Sequence, residues 1–211
     1  MPYKGVYLIG LTGNIACGKS TVLAMLRDHG AAVIDADQVT RQVQQPGEPV
    51  YQQIVETFGE TILVEPGGPI DRQRLGAIVF SDPQALRRLE QIVHPAVHAR
   101  ILAWLDEAAT YARVAVIDAV KLLEAGWKQV CDAVWVVTCT PDQQLRRLME
   151  TRGMSEVEAR IRIAAQPPQE SRVAQADVVI DNSGALDATR AQVDAAWARI
   201  PIHGVAHNAC T

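Results

Sequence analysis

Short runs of consecutive apolar residues recur along the chain and predict the strands of a buried sheet. A strand that is covered by helices on both faces carries few polar positions. Near-continuous apolar runs are therefore typical of a parallel sheet between two helical layers. The runs lie at residues 6–11, 31–34, 114–117, 133–138 and 178–180.

Apolar residues with helical spacing fill most of the intervals between these runs. They predict helices at about residues 19–29, 141–150 and 185–199,. Strands that alternate with helices indicate an α/β fold. We therefore expect a three-layer α/β protein with a parallel sheet, whose first helix ends at Gly30.

The interval between the second and third predicted strands differs from the others. From about residue 38 to 111 the pattern is helical, with a break at Pro46-Gly47 and another at residues 66–69,. Pro95 is expected to divide one long helical stretch into two helices, because the residue before a proline avoids helical backbone. The interval is too long for a single crossover helix, so we expect an inserted helical subdomain at about residues 40–111.

The composition is that of an ordinary globular protein. The chain has 211 residues, of which 48% are apolar and 21% are charged,. We expect one domain over residues 1–200 with an irregular tail at residues 201–211. The net charge of −4 argues against a general nucleic-acid coat,.

We expect neither an export signal nor a membrane-spanning segment in this sequence. The apolar run before the first glycine loop is too short for a signal peptide, and no apolar stretch has the length of a membrane span. The cysteines are Cys17, Cys131, Cys139 and Cys210, and no two have C-x-x-C spacing. Neither a zinc site nor a redox pair is expected. Isolated thiols fit the cytoplasm, which is the expected location.

A phosphate-binding loop follows the first predicted strand. Residues 13–20 fit the pattern G-x-x-x-x-G-K-[ST], and an amphipathic helix comes directly after them,. In such a loop Gly18 lets the backbone approach an anion, Lys19 reaches the β- and γ-phosphates, and Ser20 ligates Mg²⁺. The residues expected to bind nucleotide are Gly13, Asn14, Ile15, Ala16, Cys17, Gly18, Lys19, Ser20 and Thr21.

Several classes of protein share this loop. A regulatory GTPase is disfavoured because the chain has no N-K-x-D motif, and its D-x-x-G match at residues 181–184 lies too late to be a switch. A motor or remodelling ATPase stays open, since residues 114–118 suit the acidic strand that it needs. A small-molecule kinase is favoured by the helical insertion and by a late stretch rich in arginine.

That stretch predicts a closing lid at about residues 150–170. A lid excludes water and brings guanidinium groups to the transferring phosphoryl group. Glutamates alternate with the arginines, so only two or three of them are expected to touch nucleotide. The arginines are Arg146, Arg147, Arg152, Arg160 and Arg162.

In its details the chain resembles the dephospho-CoA kinase family over about residues 5–199. The resemblance starts with the loop at residues 10–20 and continues with Asp35-Ala36-Asp37. Later matches, in the same order, are Ile78-Val79-Phe80, His94-Pro95, Gln144-Leu145, Arg162-Ile163 with Gln166, and residues 176–182. The resemblance implies a P-loop kinase that uses ATP and Mg²⁺ to phosphorylate the ribose 3′-hydroxyl of dephospho-CoA.

The chain departs from the family pattern at three places. Asn14 stands where glycine is usual, and asparagine is expected to tolerate the left-handed backbone of such a position. Cys17 replaces a common serine and is interpreted as a small filler. Val120-Lys121 replaces a usual Pro-Leu, so Lys121 either contacts a phosphate of ATP or substrate or is a surface lysine.

The resemblance implies the catalytic residues. Asp37 is the carboxylate that would orient the 3′-hydroxyl and accept its proton, while Lys19 would hold the phosphoryl group. Asp35 and Asp37 both also suit the N-cap of the following helix. We expect Asp35 to be structural and Asp37 to be the base.

Further substrate and metal contacts are expected with alternatives. Arg41 meets the substrate or pairs with a neighbouring acid. By resemblance His94 belongs to the substrate-binding insertion, and otherwise it makes a hydrogen bond at a helix junction. Asp118 ends a buried strand, where it either holds Mg²⁺ together with Ser20 or is a structural carboxylate.

Two lid residues are expected to bind ATP. Arg147 follows the Gln144-Leu145 match, and Arg152 precedes Gly153, a candidate hinge. The expected partners are ATP and dephospho-CoA, without nucleic acid or membrane, and a homo-oligomer is compatible with the sequence. A nucleoside or nucleotide kinase is the alternative within the class, and a P-loop ATPase is the alternative outside it.

Overall fold

The computed structural model describes residues 3–201, which form two compact units. We call Asp35–Glu107 the helical unit and the described residues on either side of it the sheet unit. The helical unit begins and ends close to the bounds predicted for the insertion. Of the irregular tail predicted at residues 201–211, all but Pro201 lies outside the described residues.

A five-stranded sheet forms the centre of the sheet unit. Its strands are β1 (Tyr7–Gly13), β2 (Ala32–Asp35), β3 (Val114–Asp118), β4 (Ala133–Thr138) and β5 (Val178–Asp181), in the order β2-β3-β1-β4-β5. β1 lies parallel to β3 and β4, and β4 lies parallel to β5. The α/β fold and the predicted strands are confirmed, with bounds that shift by only one or two residues.

Helices connect these strands and make up most of the helical unit. They are α1 (Lys19–Asp28), α2 (Ala36–Val43), α3 (Pro49–Phe58), α4 (Arg72–Ser81), α5 (Pro83–Ala108), α6 (Pro141–Arg152), α7 (Glu156–Ala164), α8 (Gln169–Val173) and α9 (Leu186–Trp197). The helices predicted at about residues 19–29, 141–150 and 185–199 are confirmed as α1, α6 and α9. Within the described residues, no helix has both the length and the apolarity that crossing a bilayer requires.

Local sequence signals explain where the late helices begin and end. The Thr140 side chain caps α6 and Pro141 occupies its first turn, while Gly153 ends it with a φ of +62°,. Ser155 and Glu158 form a capping box at the start of α7,. These signals separate α6 from α7 by only a few residues, within the range predicted for the lid.

One apolar cluster joins the sheet to the helices that flank it. It includes Leu11 of β1, Leu26 of α1, Trp135 of β4 and Val193 of α9. Full burial of one such side chain contributes about 1.5–3 kcal/mol. Because β1 and α1 both belong to this cluster, the loop between them is fixed at both ends.

In the helical unit, α2 begins at a side-chain cap. Asp35 Oδ1 accepts a hydrogen bond from Gln38 N at 2.9 Å. This contact satisfies one of the backbone N–H groups that the first turn of a helix leaves without a partner. The structural role expected for Asp35 is confirmed.

The prediction that Pro95 divides a long stretch into two helices is wrong, because α5 is continuous over 26 residues. A proline inside a helix removes one backbone hydrogen bond and crowds the carbonyl four residues earlier. That carbonyl belongs to Gln91, and both Gln91 and Pro95 are exposed, so water can take the missing partner's place. Apolar burial at Val93, Val97 and Ile101 continues through the proline.

Candidate active site

The loop predicted to bind phosphate joins β1 to α1 in the sheet unit. Lys19 and Ser20 are the first two residues of α1, and Gly18 is its cap, with a φ of +88°. A Cβ at Gly18 would lie 1.9 Å from Asn182 Nδ2. Both the backbone angle and the available space therefore require glycine at this position.

Asn14 does not have the left-handed backbone that was expected of it. Within the loop, the non-glycine residue with a positive φ is Ala16, at +61°. Asn14 is buried instead, and its side chain donates from Nδ2 to Pro167 O at 3.1 Å and accepts from Arg172 Nε at 3.0 Å. The amide thus ties the start of the loop to α8 and to the segment before it.

Two glutamine side chains hold the backbone of Ile15. Gln144 of α6 donates from Nε2 to Ile15 O at 2.7 Å. Gln166, which follows α7, accepts a hydrogen bond from Ile15 N at 2.7 Å. In this conformation the Ile15 N–H group points at a protein acceptor, and its orientation is fixed from two later elements.

The carbonyl groups of Ala16 and Cys17 are also held from a distance. Asn182, which follows β5, donates from Nδ2 to Cys17 O at 2.9 Å, and its own orientation is fixed by a hydrogen bond from Thr189 Oγ1 at 2.9 Å. Arg147 donates to Ala16 O at 3.4 Å and to Asn182 O at 2.8 Å. Arg147, expected at the nucleotide as a lid residue, contacts the backbone of the phosphate loop.

Arg172 of α8 is a buried cation beneath the start of the loop. Its side chain is 3% exposed and donates to Asn14 Oδ1 at 3.0 Å, Thr12 Oγ1 at 3.4 Å and Glu124 Oε1 at 3.1 Å. Each of these bonds involves a different nitrogen of the guanidinium group. Arg172 therefore joins α8, the loop and the segment after β3 through one charged group.

These holding residues were missed in the sequence analysis for two reasons. Gln144, Gln166 and Asn182 belong to the family matches, but nothing in their local pattern assigned them a role. Arg172 lies in a polar segment and has the appearance of a surface residue. The contacts of all four residues join positions far apart in the chain, which periodicity does not reveal.

Lys19 and Asp118 form an ion pair next to the loop. The Lys19 ammonium group donates to Asp118 Oδ1, and Asp118 lies at the last position of β3, where it is 7% exposed. β1 and β3 are neighbours, and Leu11 lies opposite Asp118 in their register. The carboxyl end of the sheet thus brings the two predicted residues together, as parallel strands commonly do for ligand sites.

The arginines predicted for the lid differ in their contacts. Arg152 is the exposed last residue of α6. Arg146 pairs with Glu150 at 3.9 Å, and Arg160 pairs with Glu156 at 2.7 Å, in both cases one turn apart on an exposed helix. The expectation that glutamates would occupy some of these arginines is confirmed.

Three predicted residues lie in the helical unit. Asp37 is the second residue of α2 and is partly exposed, and Arg41 follows it by one turn at an exposed position,. His94 lies inside α5 and is half-buried. The helix-junction alternative for His94 is wrong, because α5 continues through this position.

Two cysteines expected to be isolated lie in contact. Cys17 of the loop and Cys139, which follows β4, have their sulfur atoms 3.2 Å apart although they are 122 residues apart in sequence. Both side chains are buried, and Gln169 Oε1 accepts a hydrogen bond from Cys139 N at 3.2 Å. The hydrogen bond to Cys139 and burial raise the pKa of Cys17. The same hydrogen bond and the Arg147 charge lower the pKa of Cys139.

Comparison with known proteins adds to this geometry. The model of the dephospho-CoA kinase family matches residues 7–188. A dephospho-CoA kinase of Symbiobacterium thermophilum is 52% identical over 191 residues, which are 90% of this chain and 80% of that protein.

Solved structures agree with the family match. The crystal structure of the Thermus thermophilus protein TT1252 is similar with a TM-score of 0.78 at 31% identity, over 92% of this chain and 98% of that chain. A dephospho-CoA kinase of Campylobacter jejuni is similar with a TM-score of 0.64 at 26% identity, over 92% and 96% of the two chains. With a P-loop kinase fold and a family match over most of its length, the chain belongs to the dephospho-CoA kinase family.

Proposed function

We propose that this chain transfers the γ-phosphoryl group of ATP to the ribose 3′-hydroxyl of dephospho-CoA, which completes the synthesis of coenzyme A. Family membership supports both the reaction and the acceptor. The observation that carries the proposal is the phosphate loop, whose glycine cap and leading lysine are fixed at the carboxyl end of the sheet. This is the arrangement that a phosphoryl donor requires.

The loop and Lys19 are the proposed binding site for the ATP phosphates. A loose phosphoryl-transfer transition state needs positioning and positive charge more than covalent chemistry. Lys19 supplies a cation at the start of α1, where the N-terminal end of the helix dipole adds to it. Asp118 keeps this cation beside the loop, so little rearrangement is needed when a phosphate replaces the carboxylate as its partner.

Mg²⁺ is the proposed metal, held by Ser20 and Asp118. A hydroxyl and a carboxylate are both oxygen ligands of the kind that Mg²⁺ prefers. Among residues 3–201 no group of three or more His, Cys, Asp or Glu side chains is arranged to hold a metal. The proposed ion would complete its coordination with phosphate oxygens and water. When bound, the ion would neutralise charge on the transferring group.

Asp37 is the proposed base for the acceptor hydroxyl. Asp35 already provides the cap of α2, so Asp37 is not needed for that purpose. Its carboxylate lies in the first turn of the helix and is partly exposed. It would orient the 3′-hydroxyl and take its proton as the oxygen attacks phosphorus.

Further contacts with the acceptor and with ATP are also proposed. Arg41 and His94 are proposed to bind the acceptor, in line with the family resemblance. Lys121 is exposed in the segment that follows Asp118 and is proposed to contact a phosphate. Arg152 is proposed to approach ATP when the lid closes. The cytoplasm is the proposed location, because the proposed reaction consumes ATP and the described cysteines are free thiols,.

The proposal is tested by measuring ATP consumption with Mg²⁺ and one acceptor at a time. The acceptors are dephospho-CoA, adenosine, AMP, CMP and UMP. Consumption that depends on dephospho-CoA and yields coenzyme A is the expected result. Consumption with a nucleoside or nucleotide instead would keep the ATP site and discard the acceptor, and consumption without any acceptor would favour an ATPase.

A further inference from the structure

We infer that Cys17 and Cys139 are a site of reversible disulfide modification, in which a peroxide oxidises the pair and the new bond distorts the phosphate loop. Only one part of the inference rests on the proposed function, namely the effect of the disulfide bond on ATP binding. The chemistry of the pair rests on the geometry alone.

The two sulfur atoms are already close to bonding distance. They lie 3.2 Å apart, and a disulfide bond is about 2.05 Å long, so the atoms need to approach by only about 1.2 Å,. Cys17 lies in the loop between two residues with positive φ, Ala16 and Gly18, and Cys139 directly follows the end of β4. Neither cysteine belongs to a helix or strand, so the approach of the sulfur atoms breaks no bond within a helix or between strands.

The surroundings favour a pair that reacts with itself over a metal site. No third metal-ligating side chain joins the two cysteines among the described residues. Gln169 Oε1 accepts from Cys17 Sγ at 3.6 Å and from Cys139 N at 3.2 Å, so one amide holds both residues together. The thiolate is favoured at Cys139 over Cys17, because the hydrogen bond between the two thiols and the Arg147 charge lower the pKa of Cys139,.

Burial determines which oxidant can act. Cys17 is 0% exposed and Cys139 is 4% exposed, so a bulky disulfide such as oxidised glutathione has no direct access. Hydrogen peroxide is small enough to reach a buried sulfur through local opening of the structure. A peroxide is therefore the class of oxidant that we assign to this site.

The reaction balances with one peroxide molecule. The Cys139 thiolate attacks one peroxide oxygen, the O–O bond breaks, and a sulfenic acid forms while hydroxide leaves as water. The Cys17 sulfur then attacks the sulfenic sulfur, and a second water leaves as the disulfide forms. The two thiols lose two electrons and two protons, and peroxide is reduced to two waters.

The bond would act on the nucleotide site through the backbone. Cys17 directly precedes Gly18 and Lys19, and its carbonyl is held by Asn182. Drawing Cys17 toward Cys139 turns the N–H groups of the next residues away from the position that a phosphate needs. A displacement of about 1 Å in such a site costs roughly tenfold to a hundredfold in rate.

The first experiment detects the bond itself. The reduced full-length protein is treated with hydrogen peroxide, free thiols are blocked, and peptides are examined by mass spectrometry. A peptide that links Cys17 to Cys139 and disappears on reduction with dithiothreitol is the expected result. Oxidation of the protein without this peptide would overturn the inference, whatever the activity does.

The second experiment connects the bond to ATP. The variant Cys131→Ser/Cys210→Ser retains only the pair, and we expect it to lose activity on peroxide treatment and to regain it with dithiothreitol. The variant Cys139→Ser is expected to keep its activity under the same treatment. A Cys139→Ser enzyme that is inactivated as fast and as reversibly as the unmodified chain would overturn the inference.

Protection by nucleotide separates this inference from the proposed function. ATP at saturation is expected to slow formation of the linked peptide by roughly tenfold, because it holds the loop in its binding conformation. If the bond forms equally fast with ATP although the kinase is active, the proposed function stands and the effect on the loop is refuted.

If the Cys139→Ser variant of the second experiment does not fold, Cys139→Ala takes its place.

Discussion

Polar side chains from late in the chain determine the conformation of the phosphate loop. Asn14, Ile15, Ala16 and Cys17 are each bonded to one or more of Gln144, Arg147, Gln166, Arg172 and Asn182. Such bonds contribute about 1 kcal/mol each, but loss of one partner leaves a buried group without its bond and costs more. The loop is therefore preorganised, which lowers the cost of ordering it around phosphate.

Arg172→Met tests the contacts that the buried guanidinium group makes. The change leaves Asn14 Oδ1 without its bond from Arg172, and we expect the free energy of unfolding to fall by about 1–3 kcal/mol. Glu124 is 44% exposed, so its carboxylate can return to water. Urea unfolding measures the loss, and the matched control is Arg160→Met, which removes an exposed pair worth about 0.5 kcal/mol. Equal losses in the two variants would show that Arg172 does not hold the loop.

Asp37→Asn tests the proposed base. The amide keeps the size of the side chain but cannot accept a proton, so we expect kcat to fall by roughly 10²–10⁴-fold. The KM for ATP should change by no more than about twofold, since the loop is untouched. Steady-state kinetics with dephospho-CoA measure both constants, with Asp35→Asn as a control that keeps the cap of α2. Normal turnover in Asp37→Asn would remove Asp37 from the mechanism.

Lys121→Ala distinguishes a phosphate contact from a surface lysine. A contact predicts that the KM for ATP or for dephospho-CoA rises by roughly 10- to 150-fold, because a charged hydrogen bond contributes about 1.5–3 kcal/mol. Lys128→Ala, a second exposed lysine on the same connection, is expected to leave both KM values unchanged. If Lys121→Ala behaves as Lys128→Ala does, Lys121 has no part in binding.

Among the secondary-structure elements, α5 conflicts most clearly with local preference. Its apolar face continues on both sides of Pro95, and this tertiary burial outweighs the local cost of the proline,. The strands show the opposite case, since β1, β3 and β4 are apolar runs that both local preference and burial favour,. Strands were therefore predicted closely from sequence, whereas the break at Pro95 was not.

Pro95→Ala should stabilise α5. Alanine restores the backbone hydrogen bond to Gln91 and relieves the contact with its carbonyl, and we expect a gain of about 1–3 kcal/mol in the free energy of unfolding. Pro83→Ala is the matched control, because a proline at the first position of a helix causes no loss,. Urea unfolding measures both. A destabilised Pro95→Ala would mean that the proline has a packing role that its exposure does not suggest.

Across residues 3–201, most of the elements were predictable and the polar contacts between them were not. The strands, α1 and the loop at residues 13–20 follow from short-range patterns, and Asp35 follows from the preference of helix caps. The Cys17–Cys139 contact and the position of Arg172 depend on how distant segments meet in the folded sheet. Hydrogen-bonding side chains of this kind have no period in sequence, so only the assembled sheet reveals their partners.

Binding of ATP should stabilise the folded protein, because the loop has its binding conformation only in the folded state. At about 100 times its dissociation constant, MgATP is expected to add about 2.7 kcal/mol to the free energy of unfolding. Thermal unfolding measures the shift, which Lys19→Met should abolish and Asp37→Asn should retain. A full shift in Lys19→Met would show that ATP binds elsewhere.

The distance in sequence between the loop and the residues that hold it has a consequence during synthesis of the protein on the ribosome. The loop leaves the ribosome early, but Asn182 is 165 residues from its partner Cys17 and is made roughly 10–30 seconds later at ordinary rates of translation,. Until then the hydrogen bond that holds the Cys17 carbonyl cannot form. We therefore expect full nucleotide affinity only after Asn182 has been made, and we expect a chain that terminates before Asn182 to bind ATP weakly.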